Sequence, residues 1–269
     1  MVKKLLKHEL FALGRVLVIM QGILLAAAVF TRILLIFETD HFVYDIIRFF
    51  TVLLYGAAVL VNLVAPLVMA IVRYYRNLFT AEGYLTFSLP LTPAQHLLVK
   101  ALGALIFQTV AGIVVLLSAM IVLSGDVLHE VCLAAAYLLK MIPGDITVHL
   151  IFWILEFVLL LEVTFVSELM LYYGCVSIGQ LARKNRILVA VGVYFGYYVA
   201  TQVLSTIVTV LLALFGDRIP FDRLLAWAEQ HPELSVHIVL CSLLVFTAAV
   251  ATGFFFVSHT IIRKRLNLE

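Results

Sequence analysis

Charge is scarce in this sequence. Asp, Glu, Lys and Arg make up 13% of its 269 residues, about half the roughly 25% of an ordinary soluble domain. So few hydrated groups cannot cover a water-exposed surface of this size, which excludes a soluble enzyme, and a net charge of only +2 gives no reason to expect a nucleic-acid partner. Cysteine is sparse as well. Cys132, Cys175 and Cys241 are scattered and odd in number, without a CxxC or Cys/His cluster, so neither a disulfide framework nor a metal site is indicated. The chain also lacks a GxxxxGK[ST] phosphate loop, an HExxH pair and a GxSxG elbow. Tyr44-Asp45 and Gly144-Asp145 come nearest to a membrane aspartyl-protease pair, but both aspartates fall outside the long apolar runs. No enzymatic activity and no cofactor of its own are therefore expected.

What is present is hydrophobic. Apolar residues are 64% of the chain and mean hydropathy is +1.14, the composition of an integral membrane protein. A spanning helix needs about 20 apolar residues, and runs of that length occupy roughly 16–37, 47–72, 98–123, 149–172, 187–214 and 236–262. The expected fold is an all-α membrane protein of six transmembrane helices in a single domain over 1–269. Segment 127–142 is apolar but short and interrupted by His129, Glu130 and Lys140, so it predicts an interfacial or re-entrant helix rather than a seventh span. Segments 124–148 and 215–235 are assigned to the outer face, with a second non-crossing helix over 222–231.

The distribution of positive charge sets the orientation. With six spans and the N-terminus inside, Lys3, Lys4, Lys7, Arg15, Arg73, Arg76, Lys100, Arg183, Lys184, Arg186, Arg263, Lys264 and Arg265 lie at the cytoplasmic side, thirteen of 18 basic residues. Both termini are then cytoplasmic, in a multi-pass membrane protein. The basic start resembles a signal peptide, but its apolar run continues past Ala26–Ala28 to Phe37. At 100° per residue, residues 1–15 form an amphipathic helix lying in the membrane interface, with Lys3, Lys4, Lys7 and Arg15 on its polar face. Glu9 falls in the middle of the apolar face. A carboxylate there either meets a basic group on another helix or reaches out to lipid headgroups.

Residues 76–92 are too polar and too proline-broken to cross a bilayer, yet they connect two spans. The second span continues as helix to about residue 79, some 50 Å at 1.5 Å per residue against a core of about 30 Å. Thr80 can cap a short new helix with Glu82 in its first turn, running through Tyr84, Leu85 and Phe87 toward Leu89, where Pro90 ends it. Thr92, Pro93 and Gln95 then spell a capping box with proline at the first helical position. The elbow exposes apolar side chains, and the sequence offers no further cytoplasmic domain to cover them; the alternative is a tight turn packed against its own spans.

The stretch RYYRNLFTAEGYLTFSLPLTPAQHLLVKAL, residues 73–102, resembles the cytoplasmic elbow of permease subunits of bacterial type-2 ABC exporters. KHELFALGR (7–15), CVSIGQLARKNR (175–186) and IIRKRLNLE (261–269) extend the resemblance along the whole chain. It implies a permease that docks a separate ABC ATPase through Thr80, Glu82, Tyr84, Leu85, Phe87 and Leu89. ATP and Mg²⁺ would sit on that partner, and a second permease, identical or a paralogue, would complete a dimer in the lipid bilayer.

Three intramembrane carboxylates, Glu156, Glu162 and Glu168, mark the fourth span. Steps of six residues place them at 0°, 240° and 120° around the helix, so they cannot all line one path. A proton-coupled carrier using Glu156 and Glu162 is the rival to the exporter, and a non-transporting scaffold or sensor subunit is a third possibility. Glu168, near the cytoplasmic end, is a candidate partner for Arg183. Gly192 and Gly196 carry the GxxxG spacing that permits close helix contact in lipid.

Overall fold

A computed structural model describes residues 2–37, 42–80, 82–88, 90–141, 144–216 and 221–265. Among them every regular element is a helix: α1 (Val2–Ile36), α2 (Phe42–Phe79), α3 (Glu82–Phe87), α4 (Pro93–Val122), α5 (Asp126–Met141), α6 (Gly144–Gly179), α7 (Arg186–Phe215), α8 (Phe221–Gln230) and α9 (Pro232–Arg265). Six of them, α1, α2, α4, α6, α7 and α9, are long and apolar enough to cross a membrane. With 16 residues, α5 reaches only about 24 Å, short of a core of about 30 Å, and α8 is shorter still. The chain divides into two compact units, one of Met1–Leu78 with Glu82–Ile142 and one of Phe79–Ala81 with Pro143–Glu269.

In the first unit α1 packs along α4, and the side chains of α2 close over both. The buried positions of α1 are Glu9, Leu13, Leu17, Gln21, Leu24, Ala28 and Thr31, steps of three and four that keep one stripe on one side of the helix. From Val2 onward the amphipathic segment and the first apolar run belong to one continuous helix, with that stripe along its length. Leu13, Leu17, Ala65 and Phe107 form the core, with Leu10, Met20 and Met69 against it. Deeper polar contacts tie α2 to α4: Tyr55 and Ser118 share a hydroxyl hydrogen bond of 2.9 Å, and Asn62 Nδ2 donates to the Ala111 carbonyl at 3.4 Å. At the α1–α2 junction the Tyr44 hydroxyl donates to the Leu34 carbonyl.

The start of α4 follows its local sequence. Thr92 is extended (φ −75°, ψ 151°), its side chain accepts from the Gln95 N–H, and the Gln95 side chain accepts from the Thr92 N–H. Thr92→Ala is expected to cost about 1 kcal/mol, read as a lower thermal midpoint in detergent, with Thr92→Ser close to wild type.

In the second unit α6 packs along α9 and joins α7 through a turn in which Asn185 adopts the left-handed conformation (φ 54°), one that asparagine tolerates. Tyr172 stacks on Tyr194 at 5.3 Å, and Tyr197 meets the edge of Phe254 at 5.3 Å. The glycine that allows α6 and α7 to meet is Gly179. A Cβ there would sit 2.7 Å from both Ala190 Cβ and the Arg186 carbonyl oxygen. Gly192 and Gly196 have nothing within 4 Å, so their spacing serves no close contact among the described residues. Gly179→Ala should therefore lower stability by about 1–3 kcal/mol through overpacking, while Gly192→Ala leaves the midpoint unchanged or raised; thermal unfolding of both variants checks the contrast.

Candidate functional site: a charged root beneath the α2–α4 elbow

The elbow rests on a compact set of charges. Glu9 projects from the buried stripe of α1 toward α2 and α4, passing close to Gly103, where a Cβ would lie 3.4 Å from its side chain. Arg73 of α2 grips it with both prongs, Nε donating to Oε1 at 3.1 Å and Nη2 to Oε2 at 2.8 Å. Lys100 of α4 adds a third bond, Nζ to Oε1 at 3.0 Å. Side-chain exposure is 8% for Glu9, 6% for Lys100 and 23% for Arg73. Of the two fates open to Glu9, the structure selects pairing, and with two bases rather than one. A bidentate guanidinium plus an ammonium satisfies a carboxylate that would otherwise be costly to bury.

Two cations around one anion leave a positive excess, and α3 supplies a second carboxylate. With its amide oriented to satisfy its neighbours, Asn77 donates Nδ2 to Glu82 Oε2 at 3.1 Å and to the Arg73 carbonyl at 3.2 Å, and accepts from Lys100 Nζ at 3.2 Å. Arg76 donates to Glu82 Oε1 at 3.4 Å, an exposed pair that adds little by itself. The path from Glu9 through Lys100 and Asn77 to Glu82 thus joins α1, α4, α2 and α3. Glu82 does more than occupy a first helical turn; it fixes α3 to the spans.

Of the proposed docking residues, Thr80 lies in the bend before α3, and Glu82 and Tyr84 lie in α3 with Tyr84 59% exposed. Leu85 and Phe87 belong to α3, but their side chains, like the whole of Leu89, are outside the described residues. The helix begins at Glu82, two residues beyond Thr80. Lys3, Lys4, Lys7 and Arg15 are all exposed along α1.

In the second polar cluster, which lies in the other unit, the sequence singles out Glu156 alone. His149, Trp153 and Glu156 stand at steps of four and three on one face of α6, facing His237 of α9. His237 Nδ1 lies 2.8 Å from both oxygens of Glu156, and its Nε2 lies 3.2 Å from His149 Nδ1. The Trp153 ring packs 6.0 Å from that of His237. The spacing of His149, Trp153 and Glu156 was the available signal, but nothing local pointed to His237. Glu162, 240° around α6 from Glu156, is half-buried. Glu168 is exposed, and no ion pair joins it to Arg183 among the described residues.

Among the described residues no cluster of three or more His, Cys, Asp or Glu is arranged to hold a metal ion. Comparison of the chain with protein-family models, with curated proteins and with solved structures gives no match, so the chemistry of these two clusters and the resemblance of the elbow carry the functional reading.

Proposed function

We propose that the chain is the permease subunit of an ATP-driven type-2 ABC exporter in the bacterial cytoplasmic membrane, with both termini in the cytoplasm. It works with a separate ATPase that binds ATP and Mg²⁺, and with a second permease. The observation that carries this reading is the rooted elbow. A six-residue helix is held at one end by Glu82 and Asn77 and followed by a capped span, while Tyr84 projects outward. A surface that must transmit force between a nucleotide-driven partner and membrane helices needs this combination of rigid base and apolar contact. The test is capture of the tagged full chain from its native membranes, followed by ATP-hydrolysis and mass measurements. A complex of two permeases with two ATPase chains, hydrolysing ATP, is the expected product. Recovery of an active lone chain that hydrolyses nothing would refute it.

The Glu156–His237–His149 chain favours a second reading, a proton-coupled carrier, because three titratable groups in hydrogen-bond contact can pass a proton between α6 and α9. Under the exporter reading the same groups join two spans. Glu156→Gln separates these. Transport by the reconstituted protein driven by ATP should survive the substitution within about twofold, whereas a carrier relying on this residue for general acid–base work would lose about 10²-fold or more and would respond to a proton gradient without ATP.

A further inference from the structure

Between the first half of α1 and the side of α4 lies a groove of about 790 Å³, within the roughly 300–1,000 Å³ usual for small-molecule sites. Leu6, Leu10, Gly14 and Val18 form its floor, with Phe107 of α4 behind them. Gly14 lets α1 come close to Phe107, since a Cβ there would lie 3.1 Å from its ring. One flank is cationic. Lys3, Lys7 and Arg15 border the groove and are exposed, and the Lys7 ammonium sits 5.8 Å from the Phe11 ring centroid. No carboxylate is among the described residues lining it. The nearest in sequence, Glu9, is turned into the protein and bound to Arg73 and Lys100, so it does not neutralise the flank.

The membrane decides what meets such a surface. As a helix of 35 residues, α1 is about 52 Å long, well beyond a hydrocarbon core of about 30 Å. Its basic end therefore reaches headgroup depth while Val18 and the residues after it lie deeper. An apolar floor running inward from Lys3 and Lys7 matches an acyl chain running inward from a phosphate. A zwitterionic headgroup carries its own cation, which the flank repels; an anionic one does not.

From this geometry we infer that the groove binds one anionic phospholipid, its phosphodiester held by Lys3 and Lys7, one helical turn apart, and its acyl chain along Leu10, Gly14, Val18 and Phe107. The site is independent of the transport reading. The experiment is a lipid titration of the purified full chain in detergent, followed by thermal unfolding and native mass spectrometry. Phosphatidylglycerol should add one tightly held lipid and stabilise the protein at a concentration at least about tenfold below that needed for phosphatidylcholine. Inorganic phosphate and glycerophosphate should have no effect. In the Lys3→Gln, Lys7→Gln variant the two lipids should become equivalent, while Arg183→Gln with Lys184→Gln keeps the preference. Equal stabilisation of the wild type by both lipids, or by inorganic phosphate, overturns the inference, as does a preference that persists in the Lys3→Gln, Lys7→Gln variant. Because the comparison of lipids on the wild type needs no variant, a poorly folding substitution leaves the test intact.

Discussion

Glu9→Ala should be among the most destabilising single substitutions in the first unit, at about 3–5 kcal/mol. It leaves Arg73 and Lys100 confronting each other across a site where Glu9 was 8% exposed, with no anion between them. Lys100→Met should cost less, because the two-pronged Arg73–Glu9 contact survives and the methionine fills the same space. Combining Glu9→Leu with Lys100→Met and Arg73→Met should recover much of the loss, since an apolar trio removes the burial penalty along with the attraction. The measurement is the thermal midpoint of each variant in one detergent, treated as a cycle so that coupling among the three is read directly. A Glu9→Ala midpoint within a degree of wild type would show the cluster to be energetically idle. The loss should also spread: hydrogen exchange at residues 82–88 should quicken in Glu9→Ala, because Lys100 and Asn77 connect that carboxylate to Glu82.

Tyr84→Ala should have the opposite profile. With the side chain 59% exposed, its removal should leave the thermal midpoint of the isolated chain near wild type. If Tyr84 fills a groove on the ATPase, truncation costs about 2 kcal/mol or more at that interface, close to thirtyfold in affinity. Capture of the ATPase and transport should then fall together. Glu82→Gln tests the root rather than the contact, and it should weaken association less than Tyr84→Ala while loosening α3 in hydrogen exchange. Normal ATPase capture by Tyr84→Ala would remove α3 from the docking surface.

The features legible in the sequence are those fixed by short stretches of chain. Hydrophobicity is a property of each residue, so the six long apolar helices and the short α5 could be assigned before any contact was known. The start of α4 was equally readable, because a capping box joins a residue to one three positions on. Glu9 could be singled out as a carboxylate on an apolar face. Its partners could not, for Arg73 and Lys100 are 64 and 91 positions away, and only the tertiary packing of α1, α2 and α4 brings them within 3.1 Å. The same holds for Glu156, whose role turns on a histidine 81 residues distant, and for the glycines. The GxxxG spacing at Gly192 and Gly196 is visible in the letters, but which glycine has a neighbour against its Cα depends on where another helix runs. The sequence by itself determined the six long apolar helices and the start of α4 at its capping box. The tertiary structure decided which buried charges face one another, because electrostatic pairing acts through space at about 3 Å and leaves no periodic trace along the chain.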